Sequence, residues 1–204
     1  MNTATAPPTG YVHGYSEHEA RRLGDQADTL AVPFADAGFD HLFVCLVLEH
    51  LRDPQGSLAA LRRVLRPGGT LTVIEGDHGS AVFHPESIHA RAVIDCQVRL
   101  QADAGGNALI GRQLQPLLAA AGYIDVAVRP RTVYADRSRP ELVEGFTRST
   151  FTAMVESVRD EALDAGLMTP TAWDQGNADL RRTAEDGGTF HYTFFTAFAV
   201  NPVA

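Results

Sequence analysis

Apolar positions recur along this chain at two spacings, and the alternation between them sets the expected elements. Residues 16–30 read as a helix. Ser16 with Glu19 three residues on is a capping-box pair, and Ala20, Leu23, Ala27 and Leu30 fall on one face. Pro33 to Gly38 is turn-like, and residues 41–48 (HLFVCLVL) follow as a run that is apolar at nearly every position. Such a run predicts a strand buried on both faces of a parallel sheet, with a buried helical segment as the competing reading. Asp53-Pro54 predicts a helix start, with Leu58, Leu61 and Leu65 as its buried stripe and Arg66-Pro67-Gly68-Gly69 as its stop.

Residues 70–75 (TLTVIE) predict a second strand, ended by Gly76-Asp77-His78-Gly79 as a flexible turn. A helical stretch over about 86–101 is broken at Gly105-Gly106. Residues 112–121 predict another helix, with Gly122 just past its end, and residues 123–128 alternate as a strand. Residues 140–163 carry a helical stripe, either one helix or a broken pair. Thr169-Pro170 opens a further helix that ends near Gly187-Gly188, and residues 189–200 (TFHYTFFTAFAV) form an aromatic strand. Strands alternating with helices predict an α/β sheet.

Composition narrows the chemistry. The 204 residues carry 17 basic and 25 acidic side chains, a net charge of −8, which disfavours a non-specific nucleic-acid surface. Every basic residue is arginine, so lysine Schiff-base chemistry and a phosphate loop with its lysine are excluded. Two cysteines, Cys45 and Cys96, can build neither a disulfide framework nor a four-cysteine metal site. Without a long apolar run or a basic leader, a cytoplasmic chain is expected.

Candidate site residues cluster where α/β sheets bind ligands, at the carboxyl ends of strands. Glu75, Asp77 and His78 follow the second strand, and a carboxylate beside a histidine can orient or deprotonate a nucleophile. Asp77, His78, His84 and His89 match no standard metal spacing, and no metal is expected. Glu49-His50 is a weaker acid/base candidate. Arg112, at a helix start, could hold an anionic substrate or an acidic neighbour, and His84 joins it as a substrate-side candidate.

Residues 39–54 (FDHLFVCLVLEHLRDP) followed by residues 61–71 (LRRVLRPGGTL) resemble the second half of a class I S-adenosylmethionine-dependent methyltransferase: strand four, a turn, a helix, a Pro-Gly-Gly turn and strand five. Residues 112–123 resemble the helix before strand six, residues 189–200 strand seven, and residues 11–30 a lid helix of one subgroup. The resemblance implies a reduced Rossmann-like sheet of strands four to seven with flanking helices. It implies a lid segment at 1–31, a core at 32–130, a helical insert or substrate cap at 131–188, and a closing strand at 189–204. It also implies that Phe34, Cys45, Leu46 and Val47 flank S-adenosylmethionine, that Tyr11 and Tyr15 close over the site, Tyr11 touching substrate and Tyr15 serving as acid or base, and that a small molecule is methylated.

The departure is the family's glycine-rich turn and the acidic residue that binds the cofactor's ribose. No Gly-x-Gly-x-Gly stands in its place; Leu30-Ala31 runs straight into Val32-Pro33-Phe34. The chain reads as lacking the family's first three strands. Two alternatives follow: a cofactor-independent enzyme of cyclase or isomerase type, or a non-catalytic chain that pairs with a homologue. Either way residues 41–48 are left as an apolar edge, which is expected to pair with a second copy or a homologue, to be covered by the 16–30 helix, or to leave the isolated chain prone to aggregate.

Overall fold

The computed structural model describes residues 38–203. They form one four-stranded sheet with helices. Strand β1 (Phe39–Cys45) leads through a short 3₁₀ turn (Leu48–His50) into helix α1 (Pro54–Val64). Strand β2 (Leu65–His84) is followed by α2 (Ile88–Asp103), a second 3₁₀ turn (Ile110–Gln113), α3 (Leu114–Ala120) and strand β3 (Ile124–Ala135). A helical arm follows: α4 (Pro140–Leu142), a π-helical segment (Val143–Thr152), α5 (Ala153–Ser157), α6 (Arg159–Asp164) and α7 (Pro170–Arg182). Strand β4 (Thr189–Val200) ends it.

The sheet order is β1-β2-β4-β3. The β1–β2 pair is parallel, and β4 inserts antiparallel between β2 and β3. This is an α/β sheet of the expected class, with the last strand in the sequence lying inside it.

The helix starts form where their chemistry requires. Asp53 accepts the Gly56 N–H at 2.8 Å ahead of Pro54. Thr169 accepts the Ala172 N–H ahead of Pro170. Ser87 accepts from both His89 and Ala90 and so opens α2. Gly122, at φ +89°, closes α3 in the left-handed region that favours glycine.

β2 serves two cores. Its first half packs with α1 and α3 around Leu58, Leu71, Val73, Leu118, Ala197 and Ala199. Its second half packs with α2, α7 and the π segment around Ile94, Phe151, Trp173, Phe190 and Tyr192. Between the halves the pairing with β4 slips between Asp77 and Val82. Ser80 staples that bulge, donating to the Asp77 carbonyl at 2.6 Å and accepting the Thr193 N–H at 2.9 Å.

Several expectations change. The Pro-Gly-Gly stretch and Gly76-Asp77-His78-Gly79 are not breaks: both lie inside β2, the second as its bulge. The third strand extends past residue 128 to Ala135, through Pro130, so sheet residues occupy the start of the stretch expected as an insert. Residues 140–163 resolve into the broken alternative, with the π segment at the break. Strand β1 is buried on one face only. Leu42 and Val44 face the core, whereas Phe43 is 59% exposed, and Phe198, two strands across through Thr72, is 44% exposed. Among the described residues β1 pairs with β2 alone. The 16–30 helix lies outside the described residues.

Gly176 sits where α7 crosses α2. A Cβ there would stand 2.5 Å from Val93 Cγ1 and 2.6 Å from the His89 carbonyl oxygen. Gly176→Ala would gain about 1 kcal/mol of helix propensity, but the backbone clash forces the helices apart at a cost of about 1–3 kcal/mol. Urea denaturation is expected to show a net loss of stability; a more stable variant would contradict this packing.

Candidate functional site

The two parallel strands end together, and the site is built in the gap beyond them. Leu46 leaves β1 at φ +53° while its N–H still donates to the Ile74 carbonyl at 2.9 Å. The next N–H groups, of Val47 and Leu48, donate to Glu75 Oε1 at 3.0 and 2.8 Å. Glu75 thus holds the start of the 3₁₀ turn against β2. Its side chain is fully buried and its Oε2 has no hydrogen-bond partner. Burial first, and the nearby Glu49 carboxylate second, push this carboxyl up to about 8.

Two steps along β2, Asp77 is buried and bound in bidentate fashion by Arg112, at 2.7 Å to each oxygen. Arg112 reaches it because the second 3₁₀ turn lies flat on β2. A Cβ on Gly111 would be 2.6 Å from the Gly76 carbonyl oxygen, so only glycine permits the approach. Asp77, in contact with a guanidinium, is a held anion.

His78 turns the other way. Its N–H donates to the Ala108 carbonyl at 3.0 Å, its Nδ1 lies 2.7 Å from Gln97 Oε1, and its Nε2 faces Glu49 Oε2 at 3.5 Å. Phe151 and Tyr192 flank its ring, each 6.0 Å away between centroids. Phe146 and Phe194 extend that aromatic wall, each against Tyr192.

The structure therefore brings Glu75, Asp77, His78 and Arg112 together at one sheet edge. It divides the expected Asp77–His78 couple: Asp77 belongs to Arg112, and Glu49 faces His78. Cys45, Leu46 and Val47 are exposed at the same edge. His84 ends β2 exposed, paired in register with Thr189 and away from the cluster. Tyr11, Tyr15 and Phe34 lie outside the described residues. Among the described residues no group of three or more His, Cys, Asp or Glu side chains could hold a metal ion.

Gln97 and Gln101 were not legible as site residues, although a signal was present. Both lie on the buried stripe of α2 with Ala90, Val93 and Ile94, where polar side chains must find partners.

A family model described as a methyltransferase domain matches residues 11–73. An uncharacterized 37.1 kDa protein of transposon Tn4556 from Streptomyces fradiae is 36% identical over 129 residues, 60% of this chain and 35% of that protein. A ubiquinone/menaquinone biosynthesis C-methyltransferase from Roseobacter denitrificans is 39% identical over 69 residues, 31% of this chain and 28% of its own. This chain spans about a third of the length of the curated relatives it matches. Among solved structures, a phosphoethanolamine N-methyltransferase of Haemonchus contortus superposes with a TM-score of 0.42 at 17% identity, covering 83% of this chain and 35% of that one. The matched methyltransferase domain and the methyltransferase relatives support a likeness to the class I S-adenosylmethionine-dependent methyltransferase family.

Proposed function

We propose that this chain carries the acceptor side of a small-molecule methyl transfer, and that its donor site is completed only with groups beyond the described residues. The observation that carries this reading is the convergence of Glu75, Asp77–Arg112 and His78 at the carboxyl edge of β1 and β2, beside the aromatic wall of Phe146, Tyr192 and Phe194.

S-adenosylmethionine supplies a sulfonium-bound methyl group for in-line displacement, a reaction that depends mainly on positioning. The described residues offer it few free polar groups. Cys45, Leu46 and Val47 offer one flank, but the N–H groups of Leu46, Val47 and Leu48 are all committed to Ile74 and Glu75. Among the described carboxylates at that edge, Asp77 is held by Arg112 and both Glu75 and Glu49 are buried, so none is free for ribose hydroxyls. The roles this chain's residues can fill are on the acceptor side. Asp77–Arg112 fixes the bulge and presents one half-exposed guanidinium edge, which suits a polar or anionic substrate group. His78 provides a proton-exchanging ring against an aromatic wall.

The outer edge of β1 supports an assembly, by pairing with a second copy or with a homologue. Calorimetric titration with S-adenosylmethionine, run beside light scattering, tests this. Donor binding is expected in a species larger than one chain, with turnover falling at least about a hundredfold on His78→Ala. A monomer that binds no donor and turns nothing over would refute the reading.

Glu75 gives a second prediction. The folded carboxyl titrates near 8 and the ordinary one near 4.5. Between those values the folded chain holds a proton that the unfolded chain has released, so stability falls as pH rises through the window, by at most about 1.4 kcal/mol per pH unit. Glu75→Gln keeps an oxygen for Val47 and Leu48 and removes the titration. Chemical denaturation across that window should therefore show a falling wild-type stability and a flatter variant.

A further inference from the structure

A chain of fixed hydrogen bonds behind His78 determines where its protons lie. It starts at the Glu49 carbonyl oxygen, which can only accept. That oxygen receives the Asn107 N–H at 2.7 Å and Gln101 Nε2 at 3.1 Å, filling both its lone pairs. Gln101 must therefore present its NH₂ to Glu49 and its oxygen to the other side. There, Gln101 Oε1 accepts Gln97 Nε2 at 3.0 Å. Gln97 in turn has only its oxygen left for His78, 2.7 Å from Nδ1. An oxygen that cannot donate demands a proton on Nδ1.

With Nδ1 protonated, a neutral ring would point the bare lone pair of Nε2 at Glu49 Oε2, 3.5 Å away. Oε2 also accepts Gln101 Nε2 at 3.3 Å, but that donor lies to one side; toward His78, two acceptors would face each other with both side chains more than nine-tenths buried. That arrangement is costly unless a proton lies between them.

We propose that His78 carries a second, buried proton at Nε2, facing Glu49 as an ion pair, and that Gln101 and Gln97 are positioning residues that impose this state from a backbone carbonyl. The site then carries a proton store whose exchangeable position is Nε2, governed by Glu49. No other carboxylate serves this role. Asp77 is bound by Arg112, and Glu75 is turned to the Val47 and Leu48 amides. His50, 3.7 Å from Glu49 Oε1, is the other cationic candidate facing Glu49. The inference is read from the protonation of the ring and not from turnover, so it stands or falls separately from the methyl-transfer reading.

Nitrogen-15 NMR of histidine-labelled full chain near neutral pH tests it, with His78→Gln assigning the resonances. The wild-type ring is expected to be protonated at Nδ1, with Nε2 carrying a proton as well. Gln101→Leu frees the Gln97 amide to turn and donate to Nδ1, so the ring should switch to a proton on Nε2 alone. Should that variant not fold, Gln97→Leu tests the same step. Glu49→Gln, close to isosteric, should leave Nε2 as a plain acceptor. A wild-type ring protonated at Nε2 alone would overturn the proposal. So would a tautomer unmoved by the glutamine substitution, or an Nε2 signal unmoved by Glu49→Gln.

Discussion

Two parallel strands that stop side by side leave the ends of their ladder without partners, and one buried carboxyl closes this gap. Beyond the Leu46–Ile74 hydrogen bond the backbones of β1 and β2 diverge, and Glu75 spans them by accepting two successive N–H groups of the turn. The position of the 3₁₀ turn follows, and with it the position of Glu49. Glu49 in turn anchors Gln101 and the Asn107 amide, which holds the loop after α2 over the site. Keeping a carboxyl in so dry a place favours its neutral form, so the group that organises the edge is also one of the least comfortable in the fold.

The electrostatics of the edge divide into compartments. One carboxylate is matched by a guanidinium that reaches out to solvent, and another by an imidazole sealed behind the glutamines. Neighbouring positions 77 and 78 serve different compartments, as alternation along a strand sends them to opposite faces, and the bulge that begins at Asp77 adds to the crowding of buried polar groups there.

Much of the architecture was readable from the pattern of residues. The last strand, the Asp53-Pro54 and Thr169-Pro170 helix starts and the Gly122 stop all follow local rules that tertiary structure leaves intact. The glycine stretches misled because glycine marks turns and bulges alike. Gly68 takes a positive φ and Gly76 lies under Tyr192, yet both stay within β2, whose neighbours on either side keep the ladder going. Glu75, Asp77, His78 and Arg112 could be picked out because charged side chains at a strand end invite attention. Their pairing could not, since Arg112 is 35 residues from Asp77 and Glu49 is 29 from His78, and only the folded chain sets those distances. Gln97 and Gln101 carry no charge and were masked by the apolar stripe around them.

The sheet has two rims of opposite character. On one side β3 carries Arg129, Pro130 and Arg131 in succession, and a proline lacks the N–H a new ladder would need. On the other side β1 presents Phe39, Leu42, Phe43 and Val44 with nothing of that kind. Among the described residues, growth of the sheet by edge pairing is therefore permitted at a single rim. A unit with one pairable rim and one insulated rim can add a single neighbour and then has nothing left to offer, which disfavours open-ended stacking through these strands.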